Sequence, residues 1–331
     1  MPNKLKAVDW LCVSAYVRAQ EAKLLTETEY GRMLDAHELS DAIRVLQDHG
    51  YAVAEPSLAA VESAVRQARA ELFADFSAFS MDDRLLDLFR IRYDYHNVKV
   101  VLKAAATGMD AEHLLLEGGR FEKQDFARRL REEEDDTLPE IMAAAVKDAR
   151  RLLFAAGDPQ KADFALDRAC FAEMAALAAD MESPFIDEYV RLMIDAENVK
   201  ALLRVLRMYA GAEMLAEAAI PGGRVDVDHI LAAVENGALT EPYMGTPLAI
   251  AVEEIAQAVH GGGVMFFEKA CDNALMHYLQ DAALVPFGPE AVLAYFVARE
   301  REFSNIRILM GGRFAKMRPD QIRERMRESY V

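Results

Sequence analysis

One phrase occurs three times in this chain: an acid, two variable residues, an asparagine, a β-branched residue and a cation. It stands in YDYHNVKVVLKAA (93–105), IDAENVKALLRVL (194–206) and EREFSNIRILMGG (300–312). The asparagines are Asn97, Asn198 and Asn305, spaced by 101 and 107 residues. The acids are Asp94, Asp195 and Glu302; the cations are Lys99, Lys200 and Arg307. A GGR follows each copy, ending on Arg120, Arg224 and Arg313, and the third arrives sooner, so its connecting segment is shortened. Weaker echoes keep the same order: EYGRML (29–34), DFARRL (125–130) and DHILAAV (228–234) lie 68, 73 and 77 residues before their asparagines. ALDRA (165–169) and ACDNA (270–274) precede the second and third copies, while the first copy lacks that aspartate. A period near 100 residues is that of a domain-sized unit repeated three times, not that of a short-repeat solenoid. The expected units are 1–115, 116–219 and 220–331.

Placed on a helix, Val98, Val101, Leu102 and Ala105 stand at i, i+3, i+4 and i+7, as do Val199, Leu202, Leu203 and Leu206. That spacing makes an apolar stripe facing a core. Extended one turn back, each stripe meets its acid. A carboxylate on a buried seam must be paired, because a lone buried charge is very costly. The expectation is that each acid–asparagine pair anchors its helix to a neighbouring element. The recurring cations are natural partners, an arginine of a GGR loop among them. Catalysis fits the pattern poorly: His96 belongs to the first copy alone, and the other two have Glu197 and Ser304 in its place.

The fold class expected is all-α. Apolar residues recur at three- and four-residue spacing between clusters of Pro and Gly, and threonine occurs only six times, which is poor for a sheet protein. Hydrophobic residues make up 53 % of the chain, enough to build real cores. The net charge of −17 argues against a nucleic-acid partner and against general attraction to anionic lipid, and permits a partner with a basic face. Cys12, Cys170 and Cys271 show neither a disulfide framework nor zinc spacing and read as reduced core cysteines. The N-terminal stretch MPNKLKAVDWLCVSAYVRAQEAKLL is interrupted by charges and does not read as a secretory signal. No apolar run approaches the ~18 residues of a spanning helix.

The familiar chemistry-bearing motifs are missing. Neither GxxxxGK[ST] nor GxGxxG occurs, and HGGGVMFF (260–267) lacks the GxSxG elbow that would make it an oxyanion loop. Gly261–Gly263 read instead as a helix stop and hinge. No HExxH is present, and no histidine has a glutamate three residues before it. DAEH (110–113) and DVDH (226–229) read as helix caps ahead of His113 and His229 rather than metal ligands. The acidic run REEEDDTLPE (131–140) reads as a solvated helix end and loop, and the basic tail 313–330 as exposed helix. No catalytic residue, cofactor or metal site is expected.

With these residues in place, the chain resembles the C subunit of the archaeal and bacterial V/A-type ATPases, the counterpart of the d subunit of the vacuolar ATPase. The likeness rests on YDYHNVKVVLKA, on SAYVRAQEAKLLTETEYGRMLDAHELSDAIRVLQDHGY (14–51) and on EREFSNIRILMGGRF, and it covers almost the whole chain. The resemblance implies three similar helical domains in a funnel about a pseudo-threefold axis. It implies a non-catalytic rotor part on the cytoplasmic face of the membrane, seated on the proteolipid ring and receiving central-stalk subunits D and F. The alternative expectation is a helical scaffold or adaptor unrelated to rotary ATPases.

Overall fold

Ala, Leu, Glu and Arg fill the segments between the glycine and proline punctuation, and these are strong helix formers. The computed structural model describes residues 10–79 and 83–331, and among these residues there is no strand. The first nine residues of the N-terminal stretch discussed above lie outside the described residues. In chain order the α-helices are α1 (Leu11–Glu21), α2 (Glu27–Asp35), α3 (Leu39–Asp48), α4 (Leu58–Ala78), α5 (Asp83–Thr107), α6 (Lys123–Arg131), α7 (Glu140–Arg150) and α8 (Pro159–Asp180). They continue with α9 (Pro184–Arg207), α10 (Ala212–Ala218), α11 (Val227–Asn236), α12 (Ala249–Glu253), α13 (Ile255–Val259), α14 (Val264–Gln280), α15 (Pro289–Phe314) and α16 (Pro319–Arg325). The three phrases fall on α5, α9 and α15, which are 25, 24 and 26 residues long.

The weaker echoes mark helix starts of one kind. Thr26 opens α2 in a capping box, its amide donating to Glu29 Oε2 at 2.9 Å. Glu122 opens α6 by accepting the amides of Gln124 and Asp125, and Asp226 opens α11 by accepting the amide of Asp228 at 2.8 Å. Of the two acids ahead of His113 and His229 only Asp226 is a helix cap; Asp110 accepts the amide of Glu112 at 3.0 Å one residue before a short 3-10 turn whose N-cap is Ala111. The stop at the glycine run is also seen: α13 ends at Val259, and Gly261 and Gly263 adopt φ of +88° and +73° before α14 begins.

The chain divides by packing into two compact units, one made of residues up to Asp82 together with Gly263–Val331, the other of Asp83–Gly262. In the first, α15 is buried nearly all round and runs antiparallel to α4. Phe296 meets Phe73 edge-on at 4.8 Å, Arg69 forks onto Glu300 at 2.7 and 2.6 Å, and Arg307 reaches Glu62 at 2.9 Å. In the second, α5 runs antiparallel to α8 in the same register. Lys99 reaches Asp167, Lys103 reaches Asp163 at 2.7 Å, and Arg84 reaches Asp180 at 2.6 Å. The phrase cation thus meets an acid on a facing helix in both places. Glu62 fills in the first copy the place that the ALDRA aspartate, Asp167, fills in the second.

Two further sequence expectations need correction. Cys170 and Cys271 are buried, but Cys12 is exposed, because α1 turns Val13, Ser14 and Val17 inward. The basic tail is not simply exposed helix. Ile322 and Met326, one turn apart, are buried, and Arg327 binds Asp272 Oδ2 at 3.0 Å on α14. The acidic run does lie in a helix end and loop, where Arg128 binds Glu132 and Glu134 while Arg150 binds Asp135.

Candidate functional site: three polar sockets

Among the described residues the only buried acids are Asp94, Asp195 and Glu302, and Asn97, Asn198 and Asn305 are buried beside them. Each asparagine clamps one residue downstream by both of its backbone groups. Asn97 accepts the amide of Leu116 at 2.8 Å and donates to its carbonyl at 2.9 Å. Asn198 does the same to Ile220 at 2.7 and 2.8 Å, and Asn305 to Arg327 at 2.9 and 2.9 Å. An asparagine amide suits this because it carries one acceptor and one donor side by side, the mirror of a backbone edge.

Each acid then holds the chain just ahead of a capped helix. Asp94 accepts the Arg120 amide at 3.1 Å and the Arg120 Nε at 2.6 Å. Asp195 accepts the amides of Arg224 and Val225, both at 3.1 Å. Glu302 accepts the amide of Leu25 at 2.6 Å and the Tyr51 hydroxyl at 2.5 Å, with Arg299 paired to it. Leu25, Phe121 and Val225 occupy the same position, one residue before the N-cap of α2, α6 and α11. The acid of the third phrase therefore grips the entry to α2, far upstream, as the first two grip the segments that follow them.

The glycines of the first two GGR loops have distinct jobs. Gly118 and Gly222 both sit at φ +95°, which favours glycine. A Cβ on Gly119 would lie 2.2 Å from Asp94 Oδ1, and one on Gly223 would lie 2.1 Å from Asp195 Oδ1. Only bare backbone comes this close to an aspartate. At the third socket the residue two before Leu25 is Lys23, not glycine, and the acid is Glu302, one methylene longer.

The expected GGR arginine partner is present in one copy of three. Arg120 binds Asp94 and also Glu173. The Arg224 side chain turns to Glu188 and only its amide serves Asp195. The third GGR is not a loop at all: it lies within α15, and Arg313 donates to the carbonyls of Met33, Leu34 and Ala36 at 2.9, 2.8 and 2.7 Å. Those are orphan carbonyls at the end of α2, which a cation satisfies and whose partial negative charge it offsets. Nor do the phrase cations pair with the phrase acids. Lys99 and Arg307 bind Asp167 and Glu62 on facing helices, and Lys200 binds Glu197 on its own helix at 2.9 Å. His96 meets the Leu114 carbonyl at 3.1 Å. Sequence reasoning missed Leu25, Tyr51 and Arg299; the alignment of α2 with α6 and α11 was the signal that pointed to Leu25.

Burial governs the electrostatics. It pushes Asp94 up to about 6 against the opposing pull of Arg120, and Asp195 up to about 6 against the amides of Val225 and Arg224. Burial, and then the Glu302 charge, hold Tyr51 well above the usual phenol range, so it remains a donor to that carboxylate. No cluster of three or more His, Cys, Asp or Glu side chains able to hold a metal occurs among the described residues, and no helix described is long and apolar enough to cross a membrane.

The chain is all-helical and carries one kind of polar socket three times, and its relatives give that class a family. The model of the ATP synthase (C/AC39) subunit family matches residues 13–325, and the chain belongs to this family. It is 23 % identical to the C subunit of the V-type sodium ATPase of Enterococcus hirae, over 95 % of this chain and 97 % of the relative. It is 23 % identical to the C subunit of the A-type ATP synthase of Pyrococcus horikoshii, over 94 % of this chain and 88 % of the relative. It is 25 % identical to the C subunit of the V-type ATP synthase of Thermus thermophilus, over 92 % and 94 %.

Proposed function

We propose that this chain is the non-catalytic rotor subunit of a V/A-type rotary ATPase, coupling the central stalk to the membrane proteolipid ring. The observation that carries this reading is the family match over nearly the whole chain. It sets aside the alternative of a scaffold unrelated to rotary ATPases. The protein has no reaction of its own; it passes rotation between ATP turnover and ion movement.

The finer reading is that residues 1–115, 116–219 and 220–331 are three copies of one helical unit, arranged as a funnel about a pseudo-threefold axis on the cytoplasmic face of the membrane. Stalk subunits D and F enter it and the ring lies beneath. The twelve residues Asp94, Asn97, Lys99, Asp195, Asn198, Lys200, Glu302, Asn305, Arg307, Arg120, Arg224 and Arg313 serve as its anchors. What supports the anchor role is the recurrence of the same clamp in all three phrases. A torque coupler must be stiff, and hydrogen-bonded buried polar groups fix helix orientation more sharply than apolar contact does. The acidic charge of the chain suits a basic stalk end.

The test is co-purification from native membranes with a tag on this chain. D, F and the proteolipid are expected in the eluate, with stalk binding weakened as salt rises. Recovery of the chain without D, F or the ring would overturn the reading.

A further inference from the structure

In the first two sockets the residue held by the asparagine and the residue held by the acid belong to one short loop. Leu116 and Arg120 are four positions apart, as are Ile220 and Arg224. In the third they belong to different parts of the chain: Asn305 holds Arg327 and Glu302 holds Leu25, 302 positions away in sequence. Either half of this grip can therefore let go while the other stays closed.

The half made by the tail is the weaker one. From α16 onward the segment buries Ile322, which sits against Gly312 of α15, and Met326; Tyr330 is half-buried beside Arg18 and Glu21, and the rest of its hold is polar. The amide of Glu328 donates to Asn273 at 3.1 Å, Arg327 binds Asp272, His277 meets Glu328 at 2.5 Å, and Ser329 donates to Glu27 at 3.3 Å. Beside it opens a cleft of about 430 Å³ lined by Tyr30 and Leu34 of α2, Lys269 of α14, and Arg323, Met326 and Arg327 of the tail itself. Past Arg327, which is largely buried between Asp272 and Glu268, the contacts of His277 with Glu328 and of Ser329 with Glu27 are polar and exposed, so this end has little packing to lose when it lifts. By contrast Ile220 is buried, and its loop runs on into Val225, which is buried too. On the Glu302 side, Ser329, Tyr330 and Val331 line a cleft with Leu25 and Glu302, but the carboxylate's own partners, Tyr51, Arg299 and the Leu25 amide, all lie outside the tail.

We propose that residues 319–330 form a strap that opens and recloses over α2 and α14 as one unit, leaving the Glu302–Leu25 half of the third socket closed. The strap makes this the one socket of the three that can be half-released, and so the joint at which the first compact unit can loosen without unfolding. The opening is favoured by salt, because Arg327 is held by the carboxylates of Asp272 and Glu268.

Residue-resolved hydrogen exchange on the full chain tests this without any substitution. The amides of Arg327 and Glu328, bonded to Asn305 and Asn273, are expected to exchange together and about a hundredfold faster than the amide of Ile220, bonded to Asn198. The α15 amides are expected to stay protected meanwhile, and the strap amides to exchange faster in ~0.5 M salt than in ~0.05 M. A difference below about tenfold between Arg327 and Ile220, or strap amides that exchange only together with α15, overturns the proposal.

Discussion

Gly223 and Gly311 are both glycines of GGR triplets, yet they have opposite roles. A Cβ on Gly223 would fall on Asp195 Oδ1, an atom held by a backbone amide, while a Cβ on Gly311, inside α15, meets nothing within 4 Å. Gly223→Ala should therefore destabilise the chain by about 2–3 kcal/mol, because the socket is overfilled. Gly311→Ala should stabilise it by up to about 1 kcal/mol, because alanine is the better helix former. Urea unfolding midpoints of the two variants check the contrast. The buried aspartates make a second prediction. Asp94 and Asp195 sit at about 6 in the folded chain against an ordinary 3.8, so the folded state holds their protons more tightly than the unfolded state does. Their contribution is fully present below pH ~4 and is lost as the pH rises through ~6. Stability of the wild-type chain measured across that window should fall more steeply with rising pH than that of the Asp94→Asn/Asp195→Asn double variant.

At the scale of the helices, most of the architecture was legible in the sequence and the joints were legible only in part. The periodicity of α5, α9 and α15 is local, so the phrase announces a buried helix face and places an acid and an asparagine on it. The partners of the first two phrases follow within about 30 residues, which is why GGR could be linked to them. The third phrase bonds to Leu25, far away in the chain, and no local pattern reports such a pairing. The nearby GGR at 311–313 was then a false counterpart, since a glycine pair can sit in a helix when the flanking residues favour one. The missing aspartate of the first copy was a matter of residue type: Glu62 does that work for Arg307. Arg313 gives this scale its prediction. Arg313→Ala removes three bonds to the end of α2 and should cost about 2–3 kcal/mol. Hydrogen exchange should show the loss concentrated in α2, with α4 little changed.

At the scale of the whole molecule, the sockets explain how a chain without chemistry of its own is useful. Three long helices each carry an acid and an asparagine that fix the start of another segment, and each fixing is directional because a carboxylate or amide accepts only from donors placed for it. On the proposed reading that suits a part passing rotation, with only the tail half of the third joint free to release. The family membership says which machine such a part belongs to, and on the proposed anchor role the buried polar groups are there to hold helix orientation.

The measurement that tests this most directly is ATP-driven ion transport by the membrane complex purified with and without this chain. Without it, the catalytic head should continue to hydrolyse ATP while ion movement is abolished and the stalk parts from the ring; adding the chain back should restore both. Ion transport that continues unchanged in its absence, with the stalk still bound to the ring, would contradict the account.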